Sequence, residues 1–130
     1  MPDNAGYAWG TKPLRYSLKT PHDLGITELI VRLHEHHEQI IEFYNDVTIR
    51  SVGIKPDALI RTNSSHYFVE VDMGTQGSGA ITQKLRSYKR LYESGEWTKA
   101  FDEFPVLLLA TRRKYVVRIE VPFKIVQVDI

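Results

Sequence analysis

The chain has 130 residues, of which 42% are hydrophobic, 25% charged and 11% aromatic, which is the composition of one soluble globular domain and not of a disordered segment. It contains no cysteine, so a disulfide framework, a thiolate zinc site and a cysteine nucleophile are all excluded. The formal charge is +1 and names no partner by itself. The longest apolar run, Val106 to Ala110, is far too short to span a membrane. The start, Met1-Pro2-Asp3-Asn4, lacks the basic and apolar stretches of a signal peptide, so a cytoplasmic location without membrane association is expected.

Residues 1–19 read as an N-terminal arm, with Gly6, Gly10 and Pro13 and no sustained period, and with Trp9 and Tyr16 available to dock it; residues 20–130 form the domain proper. A first helix is announced by Thr20 as N-cap, Pro21 at the first helical position and Asp23 at the capping-box acid. Ile26, Leu29, Ile30 and Leu33 then recur at helical spacing, with Leu24 and Val31 on the other side and Gly25 as an unfavourable interior residue. His34, Glu35, His36, His37 and Glu38 are dense in metal-capable groups. They lack the spacing of a zinc protease and read as a solvated helix end.

A first strand is expected over residues 39–45, with 47–52 extending it or pairing with it. Asp57 to Thr62 reads as a second strand, Asn63-Ser64-Ser65 as a turn, and His66 to Asp72 as a third strand closing a hairpin. Gly74 to Gly79 fits neither a P-loop nor the dinucleotide fingerprint and is a strand-to-helix connection. The second helix is expected from Ala80 to Ser94, with Ile81, Leu85, Tyr88 and Tyr92 as its buried stripe and Gly95 as its stop. Lys84 lies beside that stripe; Arg86 and Arg90 lie opposite it. Val106 to Ala110 suits a central strand covered on both faces, and the tail from Tyr115 to Ile130 reads as two short strands around Pro122. Adjacent strands followed by a crossover helix and a buried strand imply an α/β fold with a mixed central sheet flanked by helices.

The sharpest chemical feature is a set of acids. Strand alternation points Glu70 and Asp72 to one face, and a hairpin turning at 63–65 brings Asp57 beside them. Three carboxylates at one sheet end repel unless something positive joins them, and an oxygen-rich set of this kind suits Mg2+ or Mn2+. Lys84, one loop later, can reach the same end. The plainer reading is that each acid caps or solubilises a strand end. Two basic clusters, Arg86-Lys89-Arg90 beside Lys84 and Arg112-Arg113-Lys114, permit contacts to a DNA phosphate backbone and are equally suited to solvated surfaces. Tyr88, Tyr92 and Trp97 have faces that can stack on bases, and the size to fill or cover a core.

Pro56-Asp57 followed by Glu70-Val71-Asp72 after a hairpin, then a helix and a buried strand, resembles the core of the PD-(D/E)XK nuclease superfamily, with order αβββαβ. More narrowly, His22-Asp23-Leu24, Pro56-Asp57-Ala58-Leu59-Ile60, Phe68 to Thr75, Lys84-Leu85-Arg86-Ser87-Tyr88 and Phe104-Pro105-Val106-Leu107 together resemble the replication-relaxation protein family of plasmids and mobile elements in Gram-positive bacteria. The resemblance implies a role in plasmid replication and relaxation of supercoiled DNA, with DNA and replication proteins as partners and homo-oligomers possible. It assigns Asp57 and Glu70 to a metal and puts Asp72 where the superfamily has lysine, leaving Lys84 to substitute from the helix or the domain to bind without cutting. The superfamily's occasional acid on the first helix would be Glu28, which the helical wheel places opposite the main apolar stripe. Many family members carry a winged helix ahead of this domain, which makes the chain a fragment of such a protein or a stand-alone relative. Two functions follow: a metal-dependent endonuclease that nicks DNA, or a catalytically silent DNA-binding or protein-docking module.

Overall fold

The computed structural model describes residues 21–130 apart from 46, 51, 52 and 75–77; the expected arm over 1–19 and the Thr20 cap lie outside the described residues. In chain order the elements are α1 (Pro21–Glu35), β1 (Ile40–Tyr44), β2 (Ala58–Thr62), β3 (His66–Asp72), α2 (Ser78–Ser94), a 3-10 turn (Glu96–Lys99), β4 (Val106–Thr111) and β5 (Ile125–Asp129). They build a mixed α/β domain whose five-stranded sheet runs β1-β2-β3-β4-β5. The first three strands pair antiparallel and β4 and β5 are added in parallel.

Strand alternation divides the sheet's apolar residues between two cores. Ala58, Ile60, Val69, Val71, Leu108 and Ala110 pack with Leu29 and Leu33 of α1 on one face. Leu59, Phe68, Leu107 and Leu109 pack with Ile81, Leu85, Tyr88 and Leu91 of α2 on the other. Burial on both sides explains why β4 reads as an unbroken apolar run. Gly25, an unfavourable residue by helix propensity, is required by the first of these contacts. A Cβ there would clash with Val71 Cγ1 and come within 3.0 Å of Met73 Sδ and 3.3 Å of Ile130 Cδ1, so α1 sits on the sheet at a distance only glycine allows.

Two expectations need correction. β1 ends at Tyr44, and residues 47–50 do not extend it; 51 and 52 lie outside the described residues. Ile49 and Ile54 instead bridge each other through Ile49 N–H to Ile54 O at 2.8 Å and Ile54 N–H to Ile49 O at 3.2 Å, and with Val47 they bury into the α2 core. The tail holds one strand, β5, rather than two. Between 115 and 124 the backbone finds other partners: Tyr115 N–H donates to Gln127 Oε1 at 2.9 Å, and Gln127 Nε2 donates to Tyr115 O at 2.5 Å. Tyr115, Ile119 and Phe123 then fold against the α2 face. Alternating apolar residues in this stretch therefore report packing over a core edge, not a ladder. α2 begins two residues before the expected Ala80 and stops at Gly95, whose φ of 70° is the left-handed conformation that ends a helix cheaply only at glycine.

Candidate functional site

The site lies where the β2–β3 hairpin meets α2. Ala58 pairs with Val69, so Asp57, one residue earlier, falls opposite Glu70. Asp57 N–H donates to Val69 O at 2.9 Å, and its Oδ2 accepts the Val71 N–H at 2.7 Å. The carboxylate thus closes the end of the ladder and is held beside Glu70. Glu70 turns toward α2, where Lys84 and Tyr88, one helical turn apart, meet it together. Lys84 Nζ is 3.1 Å from Glu70 Oε1, and the Tyr88 hydroxyl donates to Glu70 Oε2 at 2.5 Å.

This carboxylate is unusually deep. The Glu70 side chain is 7% exposed, against 38% for Lys84. Burial first, and the neighbouring Asp57 charge second, push Glu70 up from 4.5 to about 7, against the opposing pull of Lys84 and the Tyr88 hydrogen bond. Tyr88 is also pushed well above its usual range by burial and by the Glu70 charge. The pair of acids is therefore short of positive charge even with Lys84 in place. A cleft of about 170 Å³ leads in from the surface, lined by Gly53, Ile54, Lys55, Glu70, Lys84, Ser87 and Tyr88.

Asp72 lines a small cavity together with Glu70, Lys84 and Tyr88. It shares the Glu70 face, but its Oδ1 accepts the Gly74 N–H at 2.8 Å and caps the turn that leaves β3. Among the described residues no group of three or more His, Asp or Glu side chains is placed to hold a metal. The donor set that does exist is the Asp57–Glu70 pair. It fits a hard divalent cation of the magnesium type, which takes one or two carboxylates and fills its remaining positions with water or phosphate oxygen. Glu28 is exposed on α1, whose packed residues lie on the opposite face of the sheet, and does not join the cluster.

The basic residues fall in two places. Arg112, Arg113 and Lys114 are exposed directly after β4. Arg112 N–H donates to Asp72 O at 3.2 Å, and a Cβ at Gly74 would be 3.9 Å from Arg113 Nε, so this cluster borders the turn that Asp72 caps. Arg86 and Arg90 are exposed on α2, and Arg90 Nη2 donates to Ser87 Oγ at 2.9 Å. Lys89 lines a different hollow, with Tyr92, Glu93, Glu120, Val121 and Pro122. Tyr92 and Trp97 stack at 5.6 Å and pack against Phe104, which explains them as cover for the α2 core. His34, His36 and His37 are exposed, and Glu38 accepts hydrogen bonds from Tyr67 and Ser64, as a solvated helix end would.

Sequence reasoning missed Tyr88 as a partner of Glu70. Its place in the apolar stripe concealed it, while its spacing of four residues from Lys84 was the available signal.

Fold and cluster together define a mixed α/β domain with an acid–lysine–tyrosine set, centred on the buried Glu70, at the junction of an antiparallel hairpin and a crossover helix. The chain belongs to the replication-relaxation family, whose model matches residues 2–107 and so takes in every residue of that set. No curated protein and no solved structure matches the chain. Among the described residues no helix is long and apolar enough to cross a membrane.

Proposed function

We propose that the chain is a DNA-acting domain of a plasmid or mobile-element replication and relaxation protein. On this reading Asp57, Glu70 and Lys84 form a phosphodiester-cleaving site on a PD-(D/E)XK-type core. The family match supports the replication and relaxation role, and the order α1-β1-β2-β3-α2-β4 agrees with the αβββαβ core. The single observation that carries the site is Lys84 Nζ at 3.1 Å from Glu70 Oε1: a cation from the helix reaches the acids where the superfamily's own lysine position holds Asp72.

Asp57 and Glu70 would hold Mg2+ or Mn2+. When bound, such an ion polarises a phosphoryl oxygen and lowers the pKa of a coordinated water. Lys84 places its ammonium beside the reacting phosphate and offsets the charge that grows there in the transition state. Tyr88 fixes the rotamer of Glu70 through its hydroxyl, and the apolar wall of Ile81, Leu85 and Leu109 keeps bulk water from the buried side. Mg2+-dependent conversion of supercoiled plasmid to open circles, absent with chelator, tests the reading.

A second reading rests on a specific observation. Both Glu70 oxygens already have protein partners, and Asp72 is taken by its own turn. A silent DNA-binding or protein-docking module would keep such a cluster as structure. It predicts DNA binding with no metal-dependent cleavage.

A further inference from the structure

The turn between the Ile49–Ile54 bridge and β2 brings Lys55 into the lining of the cleft that also holds Glu70 and Lys84. Its backbone position is fixed on both sides. Ile54 before it is buried against α2 and hydrogen-bonded to Ile49, and Pro56 after it is buried ahead of Asp57. Across the cleft, Ser87 lies one turn along α2 from Lys84. Its hydroxyl donates to Gln83 O at 3.3 Å and accepts from Arg90 Nη2 at 2.9 Å, which holds the Arg90 guanidinium near the rim. One small concavity is therefore lined by two lysines, Lys55 and Lys84, with an arginine tethered to a third lining residue, Ser87.

We infer that this cleft seats a backbone phosphate of DNA, with Lys55 as a phosphate-binding residue and Ser87 as the residue that positions Arg90 over it. The inference rests on the reading of the domain as DNA-acting, and it adds Lys55, which belongs to neither basic cluster, to Arg90 of the first. The cleft, about 170 Å³, has room for a phosphodiester group with its hydration. Glu70 lines the same cleft and would repel an anion. Lys84 stands against its carboxylate, and Lys55 in the lining and Arg90 on Ser87 bring two further cationic side chains to the same cleft. A flexible lysine suits this role, because it meets a phosphate as a point charge and needs no fixed fork geometry.

The experiment is a binding titration of a labelled duplex oligonucleotide in chelator, repeated over a range of salt concentrations, with plasmid nicking in Mg2+ scored separately. Lys55→Met should weaken binding several-fold at low salt and reduce the log–log salt slope by about 0.9, the value of one phosphate contact on duplex DNA. Lys55→Arg should restore the slope, and Ser87→Ala should weaken binding through Arg90. Lys99→Met, on the 3-10 turn, should change nothing. A slope unchanged by Lys55→Met, while an Arg112/Arg113 double variant lowers it, overturns the inference and leaves the DNA-acting reading standing. A lowered slope with no nicking in any metal supports the cleft and removes cleavage. No binding of wild-type protein at low salt overturns both.

Discussion

Lys84 reaches Glu70 from across the loop that joins β3 to α2, with Nζ 3.1 Å from Oε1, yet Glu70 still holds its proton to about pH 7. One partly exposed ammonium does not offset burial together with the adjacent Asp57 charge. The folded state therefore binds a proton that the unfolded state has released above about 4.5, and Glu70's contribution to stability falls as pH rises from there to about 7. The full cost, on the order of 3 kcal/mol at most, is present above that window. Glu70→Gln keeps the shape without the charge: the amide oxygen can still accept from Lys84, and the amide NH2 can donate to the Tyr88 hydroxyl, which reverses that hydrogen bond. It should flatten the decline in Tm across the window and raise Tm above it; a lower Tm at the alkaline end would show that the ionised pair is a net stabiliser.

Asp57 adds to the burden on Glu70, and a divalent cation would relieve it. Mn2+ should raise Tm in the wild type by binding only the folded state. Asp57→Asn should abolish that rise. Without metal it should leave Tm level or higher, since the amide oxygen can still accept the Val71 N–H while the repulsion is gone. Asp72→Asn should keep the metal response, because the Asp72 carboxylate is committed to Gly74. Differential scanning of the three proteins with and without Mn2+ checks this; a response lost only in the Asp72 variant would move the metal to the other end of β3.

Arg112 and Arg113 are exposed at the end of β4, beside the turn that Asp72 caps. Neutralising both should lower DNA affinity across sequences alike and flatten the salt dependence by about two contacts' worth, ~1.8 in the log–log slope. An unchanged slope would place the phosphate track elsewhere.

Much of the hairpin half of this arrangement was legible in the sequence. The turn at Asn63-Ser64-Ser65 sets the register, and that register brings Asp57 to Glu70. The reach of Lys84 followed from its place beside the α2 stripe. Alternation puts Asp72 on the Glu70 face, where both line one small cavity, but it does not specify that Asp72 Oδ1 also caps the left-handed turn at Gly74. Strand pattern likewise misled at 47–50 and 115–124. There Val47, Ile49, Tyr115, Ile119 and Phe123 pack over the α2 core, while Ile49 pairs with Ile54 and the Tyr115 backbone with the Gln127 side chain. Period alone cannot separate such segments from strands.

Gly25 offers a test of the sheet's other face. Gly→Ala in a helix interior gains about 1 kcal/mol from propensity alone. Here the added methyl group meets Val71 and Met73 in a packed interface, where overpacking costs about 1–3 kcal/mol. Gly25→Ala should therefore be neutral to destabilising by chemical denaturation, and a stabilised variant would show that α1 is not seated closely on β3.

The most direct measurement is the rate at which the wild-type protein and Lys84→Met convert supercoiled plasmid to open circles in Mg2+. Loss of one positioned transition-state charge should slow nicking by about two to three orders of magnitude while binding in chelator is nearly unchanged. Nicking at the wild-type rate in Lys84→Met, or none by the wild type on any DNA form in Mg2+ or Mn2+, would contradict a catalytic Asp57–Glu70–Lys84 site.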